Sequence, residues 1–386
     1  MSWQRDDAKL ERVRALMAER GLDALIVRAP DNVLYLTNLW AMKGYEVCVF
    51  PREGEPVLIC LDASEEDAHR TAWTSDLRLF AGYDPSDPRP ATLRALDLAR
   101  QEAAEHGTVG LELSLGTQAA DRMVGEPTTF TYEWFHAFGT RAQDATQLLA
   151  EARAVKTAQE IERMRLANEI AAAAMEHCKR IIAPGMSDAR IAAEWEGFVH
   201  GEGTGWEGKV DLALGFSLVW SGPGIKTFTA TTSRPVVAGE PTLFEIWVSA
   251  DGYWCDHTKN LVVDELAPAY RELEEGLMAA YTDAVGFARP GASLAELDRR
   301  LREGIEAMGY PGQPSHPICH GVGARAHEPP YAHQAGGGEI EAGMVLAIEP
   351  GCYWEGGGGL RVEDNFLITT GGAEKLSPFL DGIIQA

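Results

Sequence analysis

A predicted β-hairpin sets the geometry of the second half of this chain. Two β-rich runs, 242–248 and 253–263, flank a turn that ends in the Asp-Gly pair typical of tight hairpins. Paired positions across a two-residue turn have opposite parity, so the side chains of Glu245 and Asp256 lie on one face. Two carboxylates this close cost free energy unless a cation or a shared proton compensates. The pattern favours a metal site, with a solvated sheet face as the alternative.

Histidines are concentrated in one glycine-rich segment. Four of the ten histidines fall between residues 316 and 333. Gly321 and Gly323 allow the backbone to approach a neighbouring group closely, and the imidazoles of His320 and His327 can serve as metal ligand and hydrogen-bond donor. A lone histidine is more often a satisfied core residue, but a cluster in such a segment favours a functional site.

Two further carboxylates lie in apolar strands that follow the histidines. Glu349 comes at the end of the apolar run 343–349, and Glu363 interrupts the run 359–369. Burying either side chain without a partner costs several kcal/mol, so a cation must lie nearby. The sequence offers two candidates for that cation, a bound metal ion and the guanidinium of Arg361.

The length and charge of the chain limit its architecture and its partners. With 386 residues it exceeds the usual size of a single core, so two domains are expected. Residues 1–150 alternate helical and strand patterns without a cluster of catalytic residue types. A net charge of -24 disfavours binding to nucleic acid or anionic membranes. No apolar run has the ~18 residues of a membrane span, and residues 1–20 lack the apolar centre of a signal peptide, which predicts a cytoplasmic protein.

The second half of the chain contains a weak internal repeat. A helix predicted over 157–182 stops at a Pro-Gly pair, and the pattern of residues 184–191 recurs at 290–297, each copy with a serine that can cap the next helix. A Pro-Gly pair followed by a capping serine is common wherever one helix ends and the next begins, so the repeat alone does not decide the fold. A duplicated unit of two helices and a sheet is a coherent interpretation, and it places a site between its halves.

Four short motifs match a known enzyme family. They are His320-Gly-Val-Gly, His327-Glu-Pro-Pro, Ile348-Glu-Pro-Gly and Arg361-Val-Glu-Asp. Through them the chain from about residue 154 resembles the pita-bread metallopeptidases, which include methionine aminopeptidase, Xaa-Pro aminopeptidase, prolidase and their relative creatinase. The preceding residues resemble the N-terminal domain of the creatinase and prolidase branch. The resemblance implies an α/β N-terminal domain at 1–150 and an α+β pita-bread catalytic domain at 151–386 with an internal pseudo-two-fold repeat.

The resemblance also implies a set of metal ligands. The family places its ligands in the order Asp, Asp, His, Glu, Glu, and the matching positions here are Glu245, Asp256, His320, Glu349 and Glu363. Oxygen-rich ligation with one imidazole suits two divalent ions, with Mn²⁺ favoured over Zn²⁺, Co²⁺ and Fe²⁺. Glu245 is one methylene longer than the family's aspartate, so we expect one ion to be bound more weakly than the other.

The same resemblance assigns roles to three residues. Glu349 acts as ligand and proton shuttle, His327 hydrogen-bonds the substrate or the tetrahedral oxyanion, and His316 supports the ligands. A water activated by both ions attacks the scissile carbonyl. The expected function is an exopeptidase on short peptides, an Xaa-Pro aminopeptidase or Xaa-Pro dipeptidase, and the expected assembly is a homodimer.

Other functions compete with this expectation. Proline-directed members carry a histidine about eight residues after a Ser-Gly pair, and counting from Ser221 that position holds Thr229. An exopeptidase of other specificity, including a carboxypeptidase, or an amidase of the creatinase and ectoine-hydrolase kind is therefore an alternative. Creatinase-like enzymes work without metal, whereas all five ligand positions here can bind one. A non-catalytic pita-bread module is a further alternative, but it predicts lost ligands.

Overall fold

The chain forms two compact units, Met1–Arg153 and Ala154–Ala386. The structure is a computed structural model, and it describes residues 3–112, 131–227, 229–310, 313–354, 356–379 and 381–386. Within these ranges, no helix has the length and apolar character needed to cross a membrane.

The first unit is built on one mixed sheet. Its elements are α1 (Asp7–Glu19), β1 (Ala24–Val27), α2 (Pro30–Thr37), β2 (Val47–Pro51), β3 (Val57–Leu61), α3 (Glu65–Thr71), β4 (Leu77–Phe80), α4 (Ala91–Glu102), β5 (Val109–Leu111), α5 (Thr131–Phe138), β6 (Ala142–Asp144) and α6 (Thr146–Ala154). The strand order is β4-β3-β2-β1-β5-β6. Alternate residues of β1 point to opposite faces, so Leu25 packs with residues of α1 and α6 while Ile26 packs with residues of α4 and α5.

The second unit contains two larger sheets and a separate hairpin. Its elements are α7 (Ala158–Ile181), α8 (Asp188–Phe198), β7 (Ala213–Ser221), β8 (Pro241–Ala250), β9 (Tyr253–Val262), α9 (Pro268–Phe287), α10 (Leu294–Ala307), β10 (Cys319–Gly321), β11 (Glu328–Tyr331), β12 (Val345–Ile348), β13 (Gly351–Trp354), β14 (Gly358–Arg361), β15 (Asp364–Thr369), β16 (Gly372–Lys375) and β17 (Ile383–Gln385). The sheets have the orders β17-β9-β8-β7 and β11-β10-β12-β15-β16, and β13 pairs with β14. The side chain of Asn365 in β15 bonds the backbone N–H and C=O of Asp256 in β9, which joins the two sheets.

The long helix predicted at 157–182 is confirmed as α7. Thr157 accepts a hydrogen bond from the Glu160 backbone N–H, and the Glu160 side chain accepts one from the Thr157 N–H, so the helix begins with a capping box. The Tyr253 hydroxyl donates to Glu160 Oε1 at 2.9 Å. The start of this helix is therefore fixed against the first residue of β9.

The repeat predicted from the sequence is present in the local structure. The helices α7 and α9 are each followed by a Pro-Gly pair whose glycine has a positive φ, 89° at Gly185 and 82° at Gly291. In both copies a serine then caps the next helix, Ser187 for α8 and Ser293 for α10. One copy continues into β7, β8 and β9, and the other continues into the sheet that contains β10, β12 and β15.

Candidate metal centre

The hairpin of β8 and β9 forms one wall of the site, as the sequence predicts. Its turn is the two-residue Asp-Gly pair, in which both residues have positive φ. Glu245 pairs with Thr258 across the hairpin, and Trp247 pairs with Asp256. Because directly paired residues and residues two apart share a face, the carboxylates of Glu245 and Asp256 project to the same side.

The second sheet supplies the opposite wall. His320 lies in β10, Glu349 directly follows β12, and Glu363 directly precedes β15. The strand β12 pairs with both β10 and β15, so these three side chains come from neighbouring strands. Glu363 also contacts the first wall, because the Thr258 hydroxyl donates to Glu363 Oε2 at 2.7 Å.

Four of the five expected ligands come together in one buried cluster. His320 Nε2 lies 3.3 Å from Glu349 Oε1 and 3.6 Å from Asp256 Oδ2. The ligand atoms of His320, Glu349 and Glu363 lie within 4.8 Å of one another, and those of Asp256, His320 and His327 form a second group of the same size. His320 belongs to both groups, so the arrangement can hold neighbouring cations.

The chemistry of this cluster fits a divalent cation. Buried carboxylates repel one another and are costly without compensating positive charge. Among the described residues, the buried carboxylate oxygen Glu363 Oε1 has no hydrogen-bond partner. Carboxylate oxygens and imidazole nitrogens are the ligands that hard and borderline divalent ions prefer. A bound cation would satisfy these oxygens and offset their charge.

Glu245 lies beside this cluster and forms an ion pair with the guanidinium of Arg361. Arg361 Nη2 lies 2.8 Å from Glu245 Oε2, with the two side chains 2% and 13% exposed. In the described part of the chain, Glu245 belongs to neither compact ligand group. The sequence offered Arg361 as a partner for Glu349 or Glu363, and the structure instead pairs it with the glutamate that replaces the family's first aspartate.

Arg361 also connects the ligands to a hydrogen-bond network. Its Nε donates to Thr258 Oγ1 at 2.6 Å, and the same hydroxyl donates to Glu363. Its Nη1 donates to the Tyr353 hydroxyl at 3.4 Å, and that hydroxyl lies 3.2 Å from Nε2 of His316. A single buried guanidinium thus contacts two side chains of the first wall and one of the separate hairpin.

The predicted histidines His316 and His327 lie on different sides of the cluster. His316 Nδ1 lies 3.4 Å from Glu349 Oε2, and burial lowers the pKa of His316 to about 3, so its ring is neutral. His327 Nε2 lies 3.3 Å from Asp256 Oδ2, and the rings of His327 and His320 have centroids 4.6 Å apart. His327 therefore has access to the same oxygen as the candidate ligand His320.

Burial raises the pKa values of the carboxyl groups in the cluster. The pKa of Glu349 rises to about 7, and that of Glu363 rises to about 7 through burial and repulsion from Glu349. The pKa of Asp256 is also raised, first by burial and then by the charge of Glu363. Without a cation Glu349 and Glu363 still carry protons near neutral pH, and cation binding would displace those protons.

The raised pKa of Glu363 predicts how the stability of the metal-free protein depends on pH. The unfolded chain ionises this group near its ordinary value of 4.5, whereas the folded protein keeps the proton until about pH 7. The free energy of unfolding therefore falls as pH rises through this window. Glu363→Gln removes the titration, so we expect the metal-free variant to gain about 3 kcal/mol relative to wild type between pH 4.5 and pH 8.

Urea denaturation of both metal-free proteins across this pH range measures that difference. Glu374→Gln provides the control, because Glu374 is a solvent-exposed glutamate in β16 with a side chain 52% exposed. Stability curves of wild type and Glu363→Gln that stay parallel over the whole range would contradict the prediction.

Some residues of the site escape the sequence analysis. Trp247 and Thr258 lie two residues from Glu245 and Asp256, on the same face, so strand parity could have identified them. Tyr353 reaches the site from the separate hairpin of β13 and β14, and no local pattern connects it to the histidine segment.

A cavity of about 430 Å³ is lined in part by Tyr353. Its lining includes the apolar side chains of Ile225 and Trp354, the hydroxyl groups of Ser315 and Tyr353, and the ammonium-bearing side chain of Lys226. Tyr353 belongs to the network described above, so it connects the cavity to the candidate ligands. The lining of the cavity combines apolar residues with a cationic lysine.

Two family models match this chain. Residues 162–370 match the model of metallopeptidase family M24, and residues 9–167 match the creatinase/prolidase N-terminal domain. The chain is 25% identical over 380 residues to a putative dipeptidase, YkvY, of Bacillus subtilis, which covers 97% of this chain and 99% of the relative. It is 24% identical to an Xaa-Pro dipeptidase of Lactobacillus delbrueckii subsp. lactis, with 94% of this chain and 95% of the relative covered.

Solved structures show the same fold. An Xaa-Pro dipeptidase from Bacillus anthracis superposes with a TM-score of 0.80 at 23% identity, covering 98% of this chain and 99% of the other. A prolidase from Pyrococcus horikoshii gives a TM-score of 0.80 at 23% identity, covering 97% and 99%. The expected fold class is confirmed. The chain belongs to metallopeptidase family M24, and it is a peptide-bond hydrolase in which a creatinase-type N-terminal domain precedes a pita-bread catalytic domain.

Proposed function

We propose that this enzyme is an exopeptidase for short peptides, an Xaa-Pro dipeptidase or aminopeptidase that uses two divalent ions. The observation that carries the proposal is the buried cluster in which His320 Nε2 lies within 4 Å of carboxylates from both walls. The names of two relatives, a putative dipeptidase and an Xaa-Pro dipeptidase, support a dipeptide substrate.

We assign the metal ligands as Glu245, Asp256, His320, Glu349 and Glu363, with Mn²⁺ as the favoured ion. Such ions act as Lewis acids and lower the pKa of water, which supplies the nucleophile for attack on a carbonyl. Glu245 would hold its ion less firmly than the other ligands do, because Arg361 already occupies one of its oxygens. Glu245 is also one methylene longer than the aspartate of the family, which is a second reason to expect that one ion is bound more weakly than the other.

The residues of the chain itself then orient the substrate and move protons. Glu349, whose Oε1 lies 3.3 Å from His320 Nε2 inside the cluster, is placed to take a proton from the nucleophile and give it to the leaving amine. His327 is placed beside Asp256 to donate a hydrogen bond to the substrate carbonyl. Neutral His316 lies 3.4 Å from Glu349 Oε2, and its Nδ1 donates to the Pro317 carbonyl at 2.6 Å, which fixes the ring beside that carboxylate.

Thr229 favours a second candidate, a dipeptidase without a requirement for proline. This threonine stands where proline-directed relatives have a substrate-contacting histidine, and its side chain cannot reproduce the reach or the proton chemistry of an imidazole. Hydrolysis of Xaa-Pro and Xaa-Ala dipeptides at similar rates would support this candidate.

We also propose that the enzyme works in the cytoplasm as a homodimer and does not bind nucleic acid or membranes. The six cysteines are free and buried, which fits a reducing compartment. The net charge of -24 opposes binding to phosphate backbones and anionic lipids. The dimer is the assembly common in the prolidase branch, and light scattering measures it directly.

Metal removal tests the proposed function. Chelation followed by dialysis should abolish hydrolysis of a mixed library of dipeptides and tripeptides, and adding back Mn²⁺ should restore it, because the nucleophile depends on the cation. Elemental analysis verifies the metal content, and mass spectrometry identifies the products. Full activity in a verified metal-free sample would contradict the metal mechanism, and cleavage confined to internal bonds of longer peptides would contradict an exopeptidase.

A further inference from the structure

A buried ion pair lies directly next to His327 in the chain. Lys156 Nζ donates to Glu328 Oε1 at 2.9 Å, and the two side chains are only 1% and 4% exposed. Glu328 follows His327 and is the first residue of β11. His327 Nε2 lies 3.3 Å from Asp256 Oδ2. Of two neighbouring side chains, one therefore lies at the ligand cluster and the other lies in the ion pair.

The backbone on both sides of Lys156 is fixed. Its N–H donates to the Gly343 carbonyl at 2.8 Å, and Val155 forms an antiparallel bridge with Met344, the residue before β12 begins. The next residue, Thr157, is the N-cap of α7 and belongs to its capping box. The ammonium group is thus attached to a backbone that is held by a strand on one side and by a helix on the other.

The loop between β10 and β11 packs directly on the ion pair. A Cβ atom on Gly323 would collide with Glu328 Oε1 and would lie 3.0 Å from Lys156 Cε, so a side chain at this position would displace the pair. The Gly323 carbonyl accepts a hydrogen bond at 2.8 Å from the N–H of Trp254, which lies two residues before Asp256 in β9. The loop is therefore held between the strand that carries Asp256 and the buried ion pair.

The ion pair restricts where the backbone of Glu328 can lie. Removing two charges from water offsets most of their attraction, so a buried ion pair is weak as a source of net stability. It does demand a short contact, because a shift of the backbone would leave both charges buried without that contact. One peptide bond passes this restriction to His327. A misplacement of about 1 Å at a group that contacts the substrate can lower a rate about a hundredfold.

We propose that the ion pair of Lys156 and Glu328 positions the imidazole of His327 for its hydrogen bond to the substrate carbonyl. The inference rests on the proposed function, in which His327 has that role. Within the ranges that the structure describes, neither Lys156 nor Glu328 belongs to a group of metal ligands. They are positioning residues that act through His327, and turnover depends on them while metal binding does not.

Steady-state kinetics of the metal-loaded, full-length enzyme test the proposal, with the dipeptide or tripeptide that the wild type cleaves fastest. Lys156→Met should lower kcat about tenfold or more and change KM less than about threefold. Elemental analysis should find as much bound metal as in the wild type. Glu328→Asp keeps both charges but shortens the reach of the carboxylate by one C–C bond, so it should also lower kcat. This second variant serves if Lys156→Met does not fold.

The His327→Ala background separates positioning from a general structural role. If the ion pair acts through His327, adding Lys156→Met or Glu328→Asp should change the residual kcat of His327→Ala less than about twofold. Lys209→Met is the matched control, because Lys209 is a lysine whose ion pairs with Glu162 and Glu207 lie at the surface, with its own side chain 45% exposed. This control should keep the kcat and the metal content of the wild type.

Three outcomes would overturn the inference and leave the proposed function intact. They are an equal loss of kcat with and without His327, a loss of bound metal in the ion-pair variants, and a wild-type kcat in these variants. Failure of the metal-loaded wild type to cleave any dipeptide or tripeptide would overturn both.

Discussion

Replacing His320 with alanine should lower kcat/KM of the metal-loaded enzyme about a thousandfold or more and reduce its bound metal. His320 is the residue shared by both ligand groups, so its loss weakens two cation positions together. Asp256, Glu349 and Glu363 would then repel one another without a nitrogen ligand to hold a cation among them. Effects of this size are usual when a member of a catalytic unit is removed.

Two other histidines provide the comparison. His327→Ala should retain the metal and lose activity, because we assign His327 to the substrate although its Nε2 lies 3.3 Å from Asp256 Oδ2. His333→Ala makes the same change at an exposed histidine of the same segment, whose Nδ1 accepts a hydrogen bond from the Ala335 N–H, and this variant should keep both the metal and the activity. Elemental analysis measures the bound metal of each variant, and steady-state kinetics measure its activity. Release of the metal by His327→Ala would mean that His327 is a ligand.

Strand parity explains why so much of this site is predictable from the sequence. A two-residue turn fixes the register of the hairpin, and the register then fixes which side chains share a face. Glu245 and Asp256 follow from that rule alone, without knowledge of the second sheet. Glu349 and Glu363 follow from a different rule, because a charged residue next to a buried apolar strand requires a partner of opposite charge.

The partner of each charge does not follow from such local rules. Arg361 reaches Thr258 across 103 residues of sequence, and it reaches Glu245 in preference to Glu349, which is nearer in the chain. That choice depends on how the two sheets meet between β9 and β15 and on where the hairpin of β13 and β14 folds over them.

Arg361→Met should lower the free energy of unfolding of the metal-free protein by about 3–5 kcal/mol, the usual cost of removing one partner of a buried ion pair. Methionine keeps an apolar stem of similar length but removes the charge 2.8 Å from Glu245 Oε2 and the Nε donor to Thr258. Glu245 would remain largely buried beside the carboxylates of the cluster with no cation to offset it. Urea denaturation of metal-free wild type and variant at one pH measures the loss.

A second substitution separates the loss of charge balance from the loss of packing. If the unpaired glutamate causes the instability, Arg361→Met combined with Glu245→Gln should be more stable than Arg361→Met alone, because the buried negative charge is gone. Adding Mn²⁺ should also stabilise Arg361→Met more than it stabilises wild type, since a bound cation supplies the charge that the guanidinium provided. A double variant whose loss equals the sum of the single losses, together with no extra gain from Mn²⁺, would show that Arg361 contributes through packing and not through its charge.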